Sequence, residues 1–438
     1  MSTTSTAQIG SVAASSLYVH SIRILGYRDR CYRTPMQSKQ IVDVVVIGAG
    51  LAGGATAHAL IRRGVQVALL DTAPQIASKG SGNAWGLLTP YLSTKRSTLE
   101  SLYSAGYAFT HTLLREHPRC AMSFHRTGAL QLPSTRRLAA TIESGEPVLG
   151  APLVHRVGAA ESSTISGTAI TSAALHIPDA GFLSPRQFIE GLLAEDSNRL
   201  TRALGAECCS LKFDDTTWTV SCTDQRSFLC HSVVVCAAHE TSRLELTSWL
   251  PLEAIRGQTT GVRSNDSSRA LHTVVSYGGY ITPDVAGMHF LGAHYSHDDD
   301  ELTPRSSDTE EMLRLNTQWL PALSLSNAET AGTRVCFRTS TIDRLPYIGA
   351  LPNYAHWKEL AAQYRSGTNL ANKVTSAPIP GIFVNVGHGS RGLLSCPISG
   401  EIIARAIVKE PLGELARVAQ ITTPERLPLR LHRASNLS

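Results

Sequence analysis

The chain has 438 residues, 42% of them hydrophobic and 17% charged, with 34 Gly and 21 Pro, enough to bury a sizeable core and to hold two domains or two interleaved lobes. Lys and Arg total 40 against 35 Asp and Glu, a net charge of +5, which admits a polyanionic partner without demanding one. Nine Cys contain no CxxC pair, and the adjacent Cys208 and Cys209 suit neither a disulfide framework nor a zinc site, so no metal and a reducing compartment are expected.

Residues 1–40 carry seven Ser, four Arg, one Lys and a single acid, Asp29. With no apolar h-region, this is closer to a transit peptide than to a secretory signal. A disordered extension, or a true start at Met36, has the same composition, so a cytoplasmic location is expected, with an organelle as the alternative. Residues 44–61 run for 18 positions without a charge, the length of a marginal membrane span. Gly48, Gly50, Gly53, Gly54 and His58 within it favour another reading, and no membrane partner is expected.

Residues 41–47 are rich in β-branched side chains and too short for a helix, as befits a strand buried on both faces. Gly48-Ala49-Gly50-Leu51-Ala52-Gly53 follows at once. Residues 55–63 have helical composition and end at Gly64, a C′ glycine, and residues 65–70 read as a second buried strand ending in Asp71. This is a complete βαβ unit with a dinucleotide-binding fingerprint. Gly48 permits a tight turn, Gly50 close approach of backbone to a pyrophosphate, and Gly53 helix packing on the strand. The helix N-terminus faces the phosphates, and Asp71 accepts from a ribose. The fingerprint does not separate FAD from NAD.

The next segment, Ser78 through Gly86, is a small-residue loop where an NAD enzyme would start another helix. Such a loop, with Ser81, Gly82 and Asn83 at its centre, can lay amides along a diphosphate and under a flavin ring. Far downstream, residues 382–386 form an apolar strand running into Gly387-His388-Gly389-Ser390-Arg391-Gly392-Leu393, with a helix expected near 398–409. This second glycine-rich junction aims donors at an anion, here the pyrimidine edge of a reduced flavin. Ordinary loop polarity is the alternative for His388 and Arg391.

These motifs together resemble the D-amino-acid oxidase superfamily of FAD enzymes, which includes glycine oxidase and sarcosine oxidase. Gly82-Asn83 followed by Gly86-Leu87-Leu88-Thr89-Pro90-Tyr91-Leu92 narrows the resemblance, as do Tyr280-Ile281-Thr282-Pro283, Gly292-Ala293-His294-Tyr295, Arg338 through Gly349, and Gly387 through Pro397. They are similar to the FAD-dependent C-terminal half of the bifunctional enzyme that makes 5-methylaminomethyl-2-thiouridine in bacterial tRNA. The resemblance runs from about Val42 to about Arg433. It implies a Rossmann-like α/β FAD-binding lobe interleaved with a mainly antiparallel substrate lobe. It also implies FAD as cofactor and tRNA as partner, with removal of the carboxymethyl group from 5-carboxymethylaminomethyl-2-thiouridine as the reaction. Only about 40 residues precede the FAD region here, so no methyl transfer is expected from this polypeptide; either a separate methyltransferase follows or the modification stops at the aminomethyl product.

The substrate side chain is an N-substituted glycine. Hydride removal from its α-carbon gives an imine, which water splits to glyoxylate and a free amine, and the flavin carries the difficult step. The protein must hold the carboxylate and place the carbon. A planar fork suits the first task, and Arg338 stands where the superfamily places such an arginine; a salt bridge to Asp343 is its ordinary alternative. Tyr280 is assigned to the substrate side of the flavin, and His294 and Tyr295 could line the same cavity. Residues 298–301, all acidic, read as a solvated turn off any RNA face. Cys336 stands where monomeric sarcosine oxidases attach FAD covalently, although a small apolar core residue is the commoner use of a free Cys. The tail, residues 416–438, offers Arg417, Arg426, Arg430, His432 and Arg433 to phosphates or to solvent.

The FAD lobe is expected to collect residues 41–110, 166–249 and 380–410, and the substrate lobe 115–165 and 250–345, with a polar insertion near 358–380 and a basic tail from 411. Two alternatives stay open: a glycine- or sarcosine-type oxidase, and a non-catalytic flavoprotein that binds RNA or a partner.

Overall fold

The strand Val44–Ile47 alternates its side chains between two buried faces. Val44 and Val46 enter one apolar cluster while Val45 and Ile47 enter another, which is why the run carries no polar position. In the computed structural model, which describes residues 22–23, 39–194, 197–364, 377–428 and 431, this strand is central to a six-stranded sheet. The order is Leu200–Leu204, Val67–Asp71, Val44–Ile47, Ser232–Val235, Pro378–Val386, Tyr347–Pro352. All neighbours are parallel except the last pair. The helices Leu51–Ile61, Thr98–Glu116 and Gly392–Val408 cover one face. The other face packs on a second sheet that includes Cys208–Phe213, Trp218–Cys222 and Ser227–Cys230.

A mixed eight-stranded sheet builds the other lobe. Its long antiparallel strands Leu252–Arg263, Met288–Ser296 and Thr330–Thr341 adjoin one another, and the helix Ser306–Trp319 contributes Met312 and Leu313 to the core behind them. Arg256, fully buried on this sheet, pairs with Asp308 at 2.5 Å and donates to the carbonyls of Glu301 and Thr303. The acidic segment expected to be a solvated turn is therefore clamped to the sheet by its backbone, with Asp299 held by Arg305.

Two boundaries differ from expectation. Ala174–Ile177, assigned by sequence to the FAD lobe, pairs with Ala129–Gln131 and His155–Val157 in the eight-stranded sheet. Gly181–Leu183 joins a three-stranded sheet with Gly86–Leu88 and Phe124–His125. A short buried strand carries no local mark of which sheet it enters; its distant partners decide. The apolar stretch 44–61 resolves into strand, turn and helix, and no helix among the described residues is long and apolar enough to cross a membrane. The eight described cysteines are buried and free. Residues 1–38 apart from the short strand Ile22–Arg23, residues 365–376, and Arg430, His432 and Arg433 lie outside the described residues, and with them most of the N-terminal extension, much of the polar insertion and part of the basic tail.

Candidate active site

The parallel strands end on one edge, and their C-terminal ends open into a cleft of about 1250 Å³, part of it open to solvent, the place where open α/β sheets bind ligands. Gly48 begins the turn at φ +106°, and a Cβ there would lie 2.5 Å from Cys236 O. A Cβ on Gly53 would lie 1.7 Å from Gly48 O, so helix and turn meet backbone to backbone. Gly53 acts in packing and does not line the cleft; Gly48 and Gly50 do. Helix Leu51–Ile61 has no side-chain cap of its own. Ser81 Oγ, from the small-residue loop, accepts from Leu51 N at 2.9 Å and pins loop to helix.

Asp71 accepts from Ala49 N at 2.7 Å and from Ala73 N at 2.8 Å, one bond to each carboxylate oxygen, while bordering the cleft. An ionised carboxylate accepts about four bonds, so capacity remains for ribose hydroxyls. The turn, the pinned acid and a long cleft together fit a flavin dinucleotide.

The far wall comes from strand Thr330–Thr341. Arg338 borders the cleft, and its Nη1 donates to Gly80 O. Arg334, on the same strand face, donates to Ser78 O at 2.5 Å and Lys79 O at 2.6 Å. Lys79 in turn pairs with Glu240. Two arginines of the substrate lobe thus hold the loop of the FAD lobe, an arrangement that local sequence does not announce. Asp343, the alternative partner for Arg338, pairs instead with Arg426 at 3.0 Å. No carboxylate partner for Arg338 occurs among the described residues. Burial works to lower its pKa, but Cys336, Tyr295 and Tyr280 outweigh it and the net shift is upward.

Asn83, Gly387, Gly389, Ser390, Gly392 and Leu393 also border the cleft, as does His388. His388 sits in a hydrogen-bond chain. Thr56 Oγ1 donates to Ala52 O, so it accepts from Asn385 Nδ2, and Asn385 Oδ1 is left to accept from His388 Nε2 at 3.0 Å. Nδ1 lies 2.9 Å from Ser395 Oγ, a hydroxyl that also reaches Arg391 O at 3.2 Å. Burial lowers the imidazole pKa to about 4, and the ring is neutral at physiological pH.

Three expected cleft residues stand elsewhere. A Cβ on Gly82 would lie 2.4 Å from Arg334 Nη2; its smallness admits the arginine, and it does not border the cleft. Arg391 turns its guanidinium to the rings of Tyr91 and Tyr103, 5.2 and 5.6 Å from their centres. Tyr280 lines a separate small cavity with His294, over Gly292, where a Cβ would lie 2.6 Å from its ring. Burial raises its phenol pKa while Arg338 opposes this, which places the two side chains in electrostatic reach. Cys336 is 6% exposed, with Sγ 3.9 Å from Asn83 Oδ1. Asn385, Ser395 and Thr56, which orient His388, carry no sequence motif; only their meeting in space marks them.

Residues 43–406 match the family described as FAD dependent oxidoreductase. Among curated proteins the chain is 31% identical over 394 residues to the tRNA 5-methylaminomethyl-2-thiouridine biosynthesis bifunctional protein MnmC of Pseudomonas entomophila, covering 89% of this chain and 60% of that protein. It is 33% identical over 396 residues to the protein of that name from Stutzerimonas stutzeri, covering 88% and 59%. The chain thus spans about 60% of the length of these relatives. Among solved structures, glycine oxidase from Geobacillus kaustophilus aligns with TM-score 0.68 at 20% identity over 87% of this chain and 98% of that one. Iminodiacetate oxidase (IdaA) from Chelativorans sp. BNC1 aligns with TM-score 0.64 at 22% identity over 84% and 96%.

Proposed function

The chain belongs to the FAD dependent oxidoreductase family, and from that premise we propose that it oxidises 5-carboxymethylaminomethyl-2-thiouridine in tRNA, releasing glyoxylate and leaving the aminomethyl nucleoside. FAD supplies the hydride acceptor. Arg338 carries the reading: a guanidinium on the cleft wall, without a carboxylate partner among the described residues, beside two tyrosines. It receives the glycine carboxylate as a fork, while the neutral Tyr280 phenol shapes the pocket behind it. Gly48 and Gly50 admit the pyrophosphate, Asp71 takes the ribose, and the junction from Gly387 to Leu393 borders the flavin. The neutral His388 keeps that junction in one conformation without adding a charge. Water then attacks the imine carbon after the substrate has lost its hydride.

We assign the flavin a non-covalent site; supporting this, Cys336 Sγ is buried 3.9 Å from Asn83 Oδ1 and Cys336 does not border the cleft. Acid precipitation should leave the polypeptide colourless, and flavin fluorescence on the denatured band rejects this assignment. Methylation of the product is assigned to a second catalytic unit, and the compartment that the reading implies is the cytoplasm, where tRNA is found. The test is anaerobic flavin bleaching by tRNA bearing the carboxymethylaminomethyl group, compared with glycine and sarcosine. Bleaching by tRNA alone supports the proposal; bleaching by the free amino acids alone replaces it with a small-amine oxidase.

A further inference from the structure

On the tRNA reading, a nucleoside must enter the cleft while the chain on either side of it stays outside. The surface around Arg391, whose chain neighbours Ser390 and Gly392 border the cleft, has a composition suited to that. The guanidinium of Arg391 lies against both Tyr91 and Tyr103, 5.2 and 5.6 Å from their centres, and that of Arg137 lies 5.2 Å from the centre of the same Tyr91 ring. The two tyrosine rings are 5.7 Å apart. Stacking holds a guanidinium through its π face and leaves its N–H donors available. Arg137 uses Nη1 on Leu92 O at 2.7 Å.

Lys95 and Arg96 are exposed in the loop that runs from Tyr91 to Ser97, the N-cap of the helix bearing Tyr103. Arg344, also exposed, acts on Tyr103 together with Arg391. None of Lys95, Arg96, Arg137, Arg344 and Arg391 belongs to an ion pair among the described residues, whereas Arg63, Arg256, Arg305, Arg405 and Arg426 do. The carboxylates nearby are engaged: Asp343 by Arg426, and the buried Glu100 by Ser104 at 2.7 Å. Tyr295 joins the group to the site, since it acts on both Arg391 and Arg338. Arg426, which the sequence offered as a phosphate contact, is engaged with Asp343 and the carbonyl of Leu345.

We propose that Lys95, Arg96, Arg137 and Arg344, set around the cluster of Tyr91, Arg391 and Tyr103, receive the phosphates flanking the reacting nucleoside of a single-stranded RNA loop. A loop is required because a nucleoside can reach the cleft only when splayed out of a stack. The cations position the chain and read no base, so binding should be sequence-tolerant and salt-dependent. This surface rests on the tRNA reading above.

The probe is a fluorescein-labelled anticodon stem-loop RNA lacking the modification, titrated by anisotropy against the FAD-loaded protein between about 50 and 200 mM salt. The double variant Lys95→Ala, Arg96→Ala should reduce the slope of log affinity against log salt by about 1.4, at roughly 0.7 per single-strand phosphate contact. Arg137→Gln and Arg344→Gln should each reduce it by about half as much. A control, Arg263→Ala with Arg269→Ala, removes the same charge; Arg263 ends the strand whose Ile255 pairs with Arg338, and its variant should leave the slope unchanged. Flavin content and melting midpoint, measured on every variant, should match wild type.

If the mouth variants bind RNA like wild type, while wild type still oxidises modified tRNA, the surface is refuted and the proposed reaction stands. An equal loss in the control also refutes it, since net charge would then explain the effect. If wild type neither binds RNA nor oxidises tRNA but bleaches with a free N-substituted glycine, the reaction fails and the surface with it.

Discussion

Arg338 serves two partners with one guanidinium. Its bond to Gly80 O ties it to the loop of the FAD lobe and Tyr295 hydrogen-bonds it from its own lobe, yet none of the carboxylates among the described residues pairs with it where it borders the cleft. Losing a charge-assisted bidentate pair from a partly dry site costs about 2 to 5 kcal/mol. Arg338→Ala should therefore slow flavin reduction by modified tRNA roughly thirty- to several-thousand-fold, read at saturating FAD because the Gly80 anchor is lost as well. Arg338→Lys should recover little, since an ammonium cannot reproduce the fork. Wild-type reduction in the Ala variant would make the arginine a structural anchor. His388 leaves a pH signature. Its folded pKa of about 4 lies below the roughly 6.5 of the unfolded chain, so between those values the unfolded state binds more protons. Stability is then flat above about pH 6.5 and falls as pH drops toward 4. Burial lowers His111, His176, His239 and His289 in the same direction, so the share of His388 is a difference. Between pH 7 and pH 5, urea unfolding of His388→Gln should show about 2 kcal/mol less decline than wild type.

The helix Gly392–Val408 contains Pro397, which has no N–H for the carbonyl four residues earlier. That carbonyl, Leu393 O, instead lies 2.8 Å from Thr110 Oγ1 on the neighbouring helix and shares that hydroxyl's one proton with Gly106 O, at 2.9 Å. The two helices approach so closely there that a Cβ on Gly106 would lie 2.0 Å from Leu394 O. Thr110→Val keeps the shape and removes the donor, leaving a buried acceptor unsatisfied. It should lower stability by about 1 to 3 kcal/mol and, because Leu393 borders the cleft, reduce FAD affinity. An unchanged melting curve and flavin content would show that Leu393 O needs no partner. The same proline marks a limit of legibility. The βαβ unit could be read because its strand, glycine turn, helix and terminal acid are contiguous and each carries a local physical demand. The helix start at Gly392 could not, since what lets it continue through Pro397 is a hydroxyl far away in the chain. Gly82 and Arg391 sat in motifs whose composition matched a cofactor loop, but the neighbours that claim them, Arg334 and the Tyr91 and Tyr103 rings, come from other elements.

At the scale of the molecule, the cleft has one wall from each lobe, and the loop from Ser78 to Gly86 is fastened from both sides, by Ser81 to Leu51 and by Arg334 and Arg338 from the opposite sheet. A ligand bridging those walls stabilises the folded state as a whole by mass action. FAD at about a hundred times its dissociation constant should add about 2.7 kcal/mol, shifting a single calorimetric transition upward. Two transitions, only one of them flavin-sensitive, would mean that the lobes unfold independently.

The strand order of the parallel sheet sets a timetable for synthesis. Val44–Ile47 and Val67–Asp71 leave the ribosome well before Ser232–Val235, which sits between the first of them and the still later Pro378–Val386, so the cleft residues from Phe337 to Cys396 emerge long after the opposite side of the cleft. Until the segment from Gly387 to Leu393 has emerged, the strand Ser232–Val235 offers a bare apolar edge and the cofactor has only one side of its seat. The complete seat for the cofactor therefore exists only once that segment has emerged. Ribosome-bound chains stopped before Gly387 should bind no flavin, whereas chains carried past Leu393 should, and until the last strand docks its neighbour's edge is open to wrong pairing.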